Sequence, residues 1–323
     1  MKPTVLQLID EIYDLGSYEN FLERYTEDSI HKTIENEESY VAHLGAIFRD
    51  FHTPKGSLRG AFLLDNVVTE NRRREGLFTK LYREFEEENP EREIFLTFPL
   101  QEELLHLVDH QGYEIVGEVP VFAKVLNPRH IVKGNFLLRG FVSAISKMVE
   151  GLSSVWRKKN RVDTSQVTLQ EVKEFSPEVE ALWERVKKDF PIMSERTLDF
   201  IHGKMRSFGK YILWEARENN QLTGYLMARY IERGEIRYLM IMDMLWETKA
   251  TEKALYDVCE ERGKAMDVSL IGAWKTKKNS QALMERQFRF AKSSIVTVAK
   301  AKVDMNIKDM DLWHLQPIEG EVY

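Results

Sequence analysis

The segment 62–85 limits the possible folds most, because it joins a strand, a charged loop and a helix without interruption. Residues 62–68 are mostly apolar and predict a buried strand. Gly76 follows the loop, and apolar residues then recur at the spacing of a helix as far as Phe85. Unpaired amides converge at the first turn of such a helix, and their partial positive charge attracts phosphate. The segment therefore predicts an α/β-type fold with an anion-binding loop.

Three consecutive arginines, Arg72, Arg73 and Arg74, add fixed positive charge to this loop. A run of this kind taken alone is most often a solvated basic turn. Because Gly76 and a helix follow directly, and glycine lets a ligand approach the backbone closely, we interpret the run as part of a phosphate site.

The loop resembles the pyrophosphate loop of the GNAT (Gcn5-related N-acetyltransferase) superfamily, usually written (Q/R)xxGx(G/A) after the fourth strand. The matching residues are Arg73, Arg74, Glu75, Gly76, Leu77 and Phe78. Phe78 departs from the pattern, because the family has a small residue at that position. The strand predicted at 94–98, the helix after it and the Gly112-Tyr113 pair also fall where such a fold places them. The resemblance covers residues 29–126 in this detail and residues 163–323 by the order of elements alone.

The resemblance implies that acetyl-CoA or another acyl-CoA is the cofactor and that no metal is required. It places the coenzyme A pyrophosphate on the backbone of residues 74–79. The pantetheine arm would lie along the main chain of residues 67–69, where two strands splay apart. The cofactor-binding residues implied are Val67, Val68, Thr69, Arg73, Arg74, Glu75, Gly76, Leu77, Phe78 and Thr79.

The reaction implied is direct transfer of an acyl group, with acetyl the expected one, from acyl-CoA to the amine of a small molecule. A base removes a proton from the ammonium group, the amine attacks the thioester, and a backbone N–H stabilises the oxyanion. Glu70 is the first candidate for the base and His106 the second, while Asp65 and His110 are also expected nearby. The alternative for Glu70 is a solvated carboxylate paired with Arg72 or Arg73.

The chain divides near its middle at residues 135–156, whose apolar residues recur at helical spacing. This amphipathic helix ends in a basic stretch, and we expect it to link two domains rather than to lie on an anionic membrane. The predicted domains are residues 1–132 and 163–323, with a linker at 133–162. The predicted order of elements, ααβββαβαββ, recurs in the second domain. The predicted fold is therefore α/β of the α+β type, with two tandem GNAT-like domains of mixed, mostly antiparallel sheets flanked by helices.

The second domain lacks the phosphate loop of the first. After the strand predicted at 236–245 there is no glycine and no arginine, while Asp243 and Glu247 would repel phosphate. We predict that this degenerate copy does not bind coenzyme A and that it shapes the acceptor site or an interface. A homo-oligomer is one arrangement that the sequence allows.

The composition weighs against several partners and compartments. With 46 Lys and Arg against 52 Asp and Glu, the net charge is −6, which gives no broad basic surface for nucleic acid. Cys259 is the only cysteine, so the chain has no disulfide framework and fits a reducing cytoplasm. The N-terminus lacks the features of a signal peptide, and no run of about 18 apolar residues predicts a transmembrane segment.

Two other functions stay open. A catalytically silent acyl-CoA-binding or scaffold protein is supported by Val108, because members of the superfamily often carry a tyrosine there that acts as an acid toward the thiolate. A FemAB-like aminoacyl transferase shares the tandem plan, but such proteins take their donor from aminoacyl-tRNA, which the acidic balance weighs against.

Overall fold

The computed structural model describes residues 29–37, 39–99, 109–128, 162–208, 211–233, 236–275, 283–284, 286 and 288–320. The helices predicted near the N-terminus, the residues His106 and Val108, and nearly all of the linker predicted at 133–162 lie outside these ranges. No helix within the described ranges is both long and apolar enough to cross a membrane.

Twelve strands form one mixed sheet in the described part of the chain. They are β1 (Ser29–Glu35), β2 (Tyr40–Thr53), β3 (Gly56–Val68), β4 (Ile94–Thr97), β5 (Glu114–Val125), β6 (Val167–Val172), β7 (Met193–Ser194), β8 (Tyr211–Glu218), β9 (Gln221–Arg233), β10 (Ile236–Trp246), β11 (Leu270–Trp274) and β12 (Arg289–Ala301). The helices described are α1 (Leu77–Glu88), α2 (Glu178–Val186), α3 (Leu198–Phe208), α4 (Lys249–Ala265) and α5 (Pro317–Gly320). The strand order is β1-β2-β3-β4-β12-β5-β11-β10-β9-β8-β6, and the short β7 pairs with β2.

The two sides of the sheet have the same connectivity. On one side β1, β2 and β3 are antiparallel, and α1 leads from β3 to β4, which lies parallel to β3. On the other side β8, β9 and β10 are antiparallel, and α4 leads from β10 to β11, which lies parallel to β10. We call β1–β4 with α1 the first half, and β8–β11 with α4 the second half.

The two halves exchange strands in the middle of the sheet. β12, which follows the second half in the sequence, lies between β4 and β5, while β5, which follows the first half, pairs with β11. All of these pairings are antiparallel. The α+β class expected from the sequence is confirmed, but the expected separate sheets are replaced by one. The physical reason is that strand exchange satisfies the backbone groups at both inner edges, which would otherwise be left unpaired.

α1 covers one face of the first half. Its buried side chains are Phe78, Leu81, Tyr82 and Phe85. They pack against side chains of the sheet that include Leu44 and Phe95. Because side chains alternate along a strand, His43 points away from α1, toward the face where Phe62 and Phe98 are buried. The first half therefore has one face that α1 covers and an opposite face. His43 lies on that opposite face, beside the C-terminal end of β3.

The second half is covered on both faces. α2 buries Leu182 and Trp183 against one face, and α4 buries Leu255 and Cys259 against the other. Burial raises the pKa of the Cys259 thiol to about 12, so that it is protonated and unreactive at neutral pH.

Candidate functional site

The loop between β3 and α1 contains a 3-10 turn followed by two residues with positive φ. A single 3-10 turn, Glu70–Arg72, follows the end of β3. Arg74 and Gly76 then adopt positive φ values of 69° and 76°. A Cβ atom added to Gly76 would meet no other atom within 4 Å. The glycine is therefore required by the backbone conformation, and the space in front of it is open.

The amides of this loop are available to a ligand. Gly76 is the N-cap of α1 and offers no side-chain cap. Within the described residues, the first amide of the helix with a backbone acceptor is that of Lys80, which donates to the Gly76 carbonyl over 2.9 Å. The amides of residues 74–79 donate no backbone hydrogen bond there. The amides of residues 76–79 are the orphan donors at the N-terminus of α1.

Two of the charged side chains of the loop form an ion pair, and two arginines have no ion-pair partner among the described residues. Arg72 binds Glu75 through two contacts of 2.8 Å from its Nε atom. This pair raises the pKa of Arg72 and lowers that of Glu75, although both side chains face solvent and the pair adds little stability. Arg73 and Arg74 are exposed and have no ion pair with any described residue. They leave the rim of the loop positively charged.

Glu70, the first candidate for the base, is exposed and begins the 3-10 turn. The alternative of an ion pair with Arg72 or Arg73 is not seen, because Arg72 binds Glu75 instead. His110 is also exposed, and His106 lies outside the described residues. The role of Glu70 as a base stays a prediction.

Among the described residues, no strand pairs with the β4-facing side of β3 at its end. β3 pairs with β4 only from Gly60 to Leu63, and β4 ends at Thr97, whereas β3 continues to Val68. We call the β4-facing side of residues 64–68 the open edge. The Thr69 amide donates to Val41 of β2, so strand alternation turns the amide and carbonyl of Val68 toward the open edge. β4 thus ends before β3 does, at the place where the resemblance implies that two strands splay apart.

A β-bulge lies at the start of the open edge. Gly45 of β2 pairs with Leu64 and His43 pairs with Val67, so Asp65 and Asn66 together stand opposite a single residue. Asp65 has a φ of 50°, which is uncommon for a residue with a side chain. Bulges bend the strand and change the direction of its backbone groups. Backbone strain of this kind is concentrated at functional sites.

Two histidines that sequence reasoning missed lie behind this bulge. The Nδ1 atom of His43 is 2.8 Å from the Asp65 carbonyl, and its Nε2 atom is 3.0 Å from Nδ1 of His31 on β1. Burial lowers the pKa of His43 to about 4, although the Asp65 carbonyl partly opposes this. Desolvation also lowers the pKa of His31, and the Asp65 carboxylate partly opposes it. Both rings are therefore neutral at pH 7. Their proximity depends on the β1–β2 register, for which the sequence gives no local signal.

The corresponding helix N-terminus in the second half has a side-chain cap. The Thr248 hydroxyl caps α4 by accepting from the Thr251 amide over 3.0 Å, and it donates to Glu218 over 2.6 Å. Glu247, next to this cap, is held by Arg185 at 3.0 Å.

The end of β10 in the second half is bound by side chains from other segments. Gln316, in the C-terminal segment, donates from Nε2 to the Met244 carbonyl over 3.0 Å. Arg196 is fully buried and binds both Asp243 of β10, at 2.9 Å, and Glu319 of α5. The two acidic residues expected to repel phosphate, Asp243 and Glu247, are each paired with an arginine.

Among the residues that the structure describes, no group of three or more His, Cys, Asp or Glu side chains is arranged to hold a metal ion.

The fold is recognisable among solved structures. A GCN5-related N-acetyltransferase from Anabaena variabilis matches 93% of this chain and 70% of its own, with a TM-score of 0.66 at 11% identity. A probable N-acyltransferase from Enterococcus faecalis, a conserved protein of unknown function, matches 92% of this chain and 69% of its own, with a TM-score of 0.65 at 12% identity. The chain has the GNAT fold. The resemblance seen in the loop is thereby confirmed for the fold.

A GNAT-fold neighbour with a named acyl donor is also similar. Saccharomyces cerevisiae N-myristoyltransferase, in a structure with bound myristoyl-CoA, matches 88% of this chain and 74% of its own, with a TM-score of 0.57 at 12% identity. At such identities the likeness concerns the fold alone. No protein-family model and no curated protein matches the sequence.

Proposed function

We propose that this GNAT-fold protein is an N-acyltransferase that binds acyl-CoA between the β3–α1 loop and the open edge, and passes the acyl group to the amine of a small molecule. The observation that carries the proposal is the set of amides at residues 74–79, which have no backbone acceptor among the described residues, next to a glycine where an added Cβ would meet no atom within 4 Å. A diphosphate satisfies such donors directly.

The cofactor would be held mainly by main-chain atoms. The pyrophosphate would accept from the amides of residues 74–79, with Arg73 and Arg74 as the nearby cations. The pantetheine arm would lie along residues 67–69 as an added strand, and Val68 is the residue whose amide and carbonyl face it. The thioester would then lie beside the bulge, where a backbone N–H can stabilise the oxyanion.

The chemistry proposed is direct transfer of the acyl group, with acetyl as the donor group. Loss of a proton from the ammonium frees its lone pair, the new C–N bond forms, and the C–S bond of the thioester breaks. Glu70 and His106 are the bases proposed from the sequence. Val108 leaves no side-chain acid at the usual position, so the thiolate would take its proton from water or a histidine.

The second half has a supporting role in this proposal. We propose that the chain consists of two tandem GNAT-like domains, 1–132 and 163–323, and that the second does not bind coenzyme A. The side-chain cap at the N-terminus of α4 supports this. Trp274 of the second half contacts Phe98 at the end of β4, with ring centroids 5.7 Å apart, so the second half can shape the acceptor side of the site. A cytoplasmic location is part of the same proposal.

Titration calorimetry with coenzyme A tests the site. Gly76→Asp places a negative charge where the diphosphate would lie and should weaken binding by about 100-fold or more. Gly56→Asp is the matched control, because Gly56 also has a positive φ and an added Cβ there also meets nothing within 4 Å. Equal affinity in the two variants would contradict the location of the site. The unfolding free energy of both should fall by a similar amount, about 1 kcal/mol.

Release of thiol from acetyl-CoA in the presence of a panel of primary amines separates an enzyme from a silent acyl-CoA-binding protein. Thiol release that depends on an amine supports the transferase. Binding of coenzyme A without any thiol release would favour the catalytically silent alternative. Val108 supports that alternative, because it stands where members of the superfamily often carry a tyrosine that acts as an acid.

A further inference from the structure

The parallel strands β10 and β11 of the second half separate at their carboxyl ends. They pair only over residues 238–240 of β10, which then continues to Trp246. β11 continues to Trp274 paired with β5 alone. Among the described residues, no strand pairs with the β11-facing side of residues 241–246. We call the place where the two strands separate the second opening. Ligands of open α/β sheets bind outside the carboxyl ends of parallel strands, which makes this place a candidate site.

Lys275 brings an amine to the second opening. It follows β11 directly, and its amide donates to the Pro120 carbonyl of β5 over 3.3 Å, which holds the backbone there. Its side chain reaches Trp246 at the end of β10, with Nζ 3.8 Å from the ring centroid in a cation–π contact. The Lys275 amine therefore lies between the ends of the two strands that separate.

This amine is buried without a hydrogen bond. Lys275 exposes 4% of its surface, and its Nζ atom has no hydrogen-bond partner among the described residues. Oε1 of Glu252, in the first turn of α4, is 4.0 Å from Nζ, which is too long for a hydrogen bond. Burial lowers the pKa of Lys275 to about 8, although Glu252 partly opposes this. At pH 7 the amine is therefore mostly charged, with N–H donors for which the described chain supplies no acceptor.

His314 provides a second donor beside the same tryptophan, with the ring centroids of His314 and Trp246 6.0 Å apart. Nε2 of Gln316 donates to a carbonyl of β10 and is also 3.0 Å from Nε2 of His314. An amide nitrogen can only donate, so Nε2 of His314 accepts and the proton of the neutral ring is on Nδ1. Burial, Lys275 and Arg196 lower the pKa of His314, which keeps the ring neutral. The described residues supply no acceptor for this Nδ1–H group.

We propose that the second opening binds a small carboxylate, which accepts hydrogen bonds from the Lys275 amine and from Nδ1–H of His314. The two oxygens of a carboxylate suit two separate donors, and the ammonium makes its hydrogen bond a charge-assisted one. Trp246 and Phe190, whose ring centroid is 4.2 Å from that of His314, are the apolar groups beside the carboxylate. Trp246 keeps an exposed surface, along which a small molecule would enter.

The surrounding charges favour a carboxylate over a phosphate. Glu252 lies 4.0 Å from the Lys275 amine and repels a dianion more strongly than a monoanion. The Thr251 amide at the N-terminus of α4 already donates to the Thr248 hydroxyl, which removes one donor that a phosphate would use. This site is separate from the β3–α1 loop, and it does not depend on the proposed acyl transfer.

NMR of protein labelled with ¹³C at the lysine Cε atoms observes the Lys275 amine directly, and its signal is assigned by its absence from Lys275→Arg. We expect propionate to shift this signal in a saturable way. The midpoint of its titration, about pH 8 in the free protein, should rise because a bound anion favours the ammonium form. Propionamide has the same shape without the charge, and it should bind at least about 10-fold more weakly than propionate.

Variants compare the two donors, with the indole N–H signal of Trp246 as the measure of propionate affinity. Lys275→Met should weaken binding by about 10- to 100-fold, through loss of a charged hydrogen bond. His314→Phe keeps an aromatic ring beside Trp246 and should weaken binding by about fivefold. Lys253→Met is the matched control, because it also removes one positive charge from the second half, while Lys253 binds Asp257 at 2.6 Å. Its affinity for propionate should stay within about twofold of the wild-type value.

Three results would overturn the proposal. A wild-type Lys275 signal that propionate leaves unchanged contradicts the site itself, whether or not the variants fold. Equal weakening in Lys253→Met and Lys275→Met would show that net charge rather than a hydrogen bond from Lys275 attracts the anion. Tighter binding of inorganic phosphate than of propionate would contradict the assignment to a carboxylate. None of these measurements involves coenzyme A, so they fail or succeed independently of the proposed acyl transfer.

Discussion

The N-termini of α1 and α4 occupy equivalent places in the two halves, yet only that of α4 has a side-chain cap. α1 begins at a glycine with no side-chain cap, and the amides of residues 74–79 find no backbone acceptor among the described residues. α4 begins at Thr248, whose hydroxyl caps the helix and is itself held by Glu218. The same strand–loop–helix connection therefore occurs both with and without a side-chain cap. Under the proposed function, a diphosphate would supply the acceptors that the N-terminus of α1 lacks.

The ends of the adjoining strands differ in the same way. In the part of the chain that the structure describes, no strand pairs with the open edge of β3 beside Val68, whereas the Met244 carbonyl of β10 receives a hydrogen bond from Gln316. The buried Arg196 then ties β10 to α5 through Asp243 and Glu319. These contacts join β10 to the C-terminal segment, and each of the following changes tests one side of the contrast between the two halves.

Arg196→Met should have the largest effect. Removing the guanidinium leaves Asp243 and Glu319 buried without a counter-charge, and loss of one partner from such a network costs about 3–5 kcal/mol of unfolding free energy. Denaturant unfolding followed by circular dichroism measures this. Arg185→Met is the control, because the Arg185–Glu247 pair is partly exposed and should contribute less than about 1 kcal/mol. Equal losses in both variants would mean that the buried network is not what fixes the C-terminal segment.

Acidification should destabilise the first half through His43. Its pKa is about 4 when folded and 6.5 when unfolded, so the unfolded chain binds the extra proton between these pH values. The neutral ring contributes about 3 kcal/mol to the free energy of unfolding above pH 6.5, and this contribution is lost as the pH falls toward 4.

His43→Asn should flatten this part of the curve of unfolding free energy against pH. His314 in the C-terminal segment offers the comparison, because burial, Lys275 and Arg196 also lower its pKa. His314→Asn should flatten the curve in the same range. If His43→Asn leaves the slope as it is in the wild-type protein, the His43 ring is not neutral and buried in solution.

The smallest expected effects are those at the two N-caps. Thr248→Ala should lower the unfolding free energy by about 1 kcal/mol through loss of the cap, without changing coenzyme A affinity. Gly76→Ala should cost a similar amount through its positive φ and should also weaken coenzyme A binding. Calorimetry and thermal unfolding on both variants give the two readouts. Weaker cofactor binding in Thr248→Ala would place a cofactor at the second half and contradict the contrast drawn here.

The sequence predicted the features that depend on neighbouring residues. Gly76 and the apolar spacing after it placed the loop and the start of α1, and the apolar run before the loop placed the end of β3. The Asn89-Pro90 break agrees with the end of α1 at Glu88. The resemblance to the GNAT superfamily rested on the same local signals, and it is the fold that they identified.

Features that depend on strand register could not be predicted in this way. His31 and His43 meet because His31 pairs with Gly45 and His43 with Thr33, which makes them diagonal neighbours on β1 and β2. The pairing of β12 with β4 joins parts of the chain that no periodic pattern relates. The tie between Arg196 and Glu319 is equally distant in sequence. In each case the signal is a contact between segments, and a single sequence contains no record of it.

The insertion of β12 beside β4 has a consequence for how the polypeptide emerges during synthesis. Thr97 pairs with Val298, roughly 200 residues later, so the inner edge of β4 stays unpaired until the segment around Val298 has left the ribosome. A fragment ending at residue 132 would keep that edge exposed, and exposed edges recruit other strands. During this interval, aggregation of the nascent protein through β4 competes with folding. A chaperone that binds the segment containing β4 would be most useful at that stage.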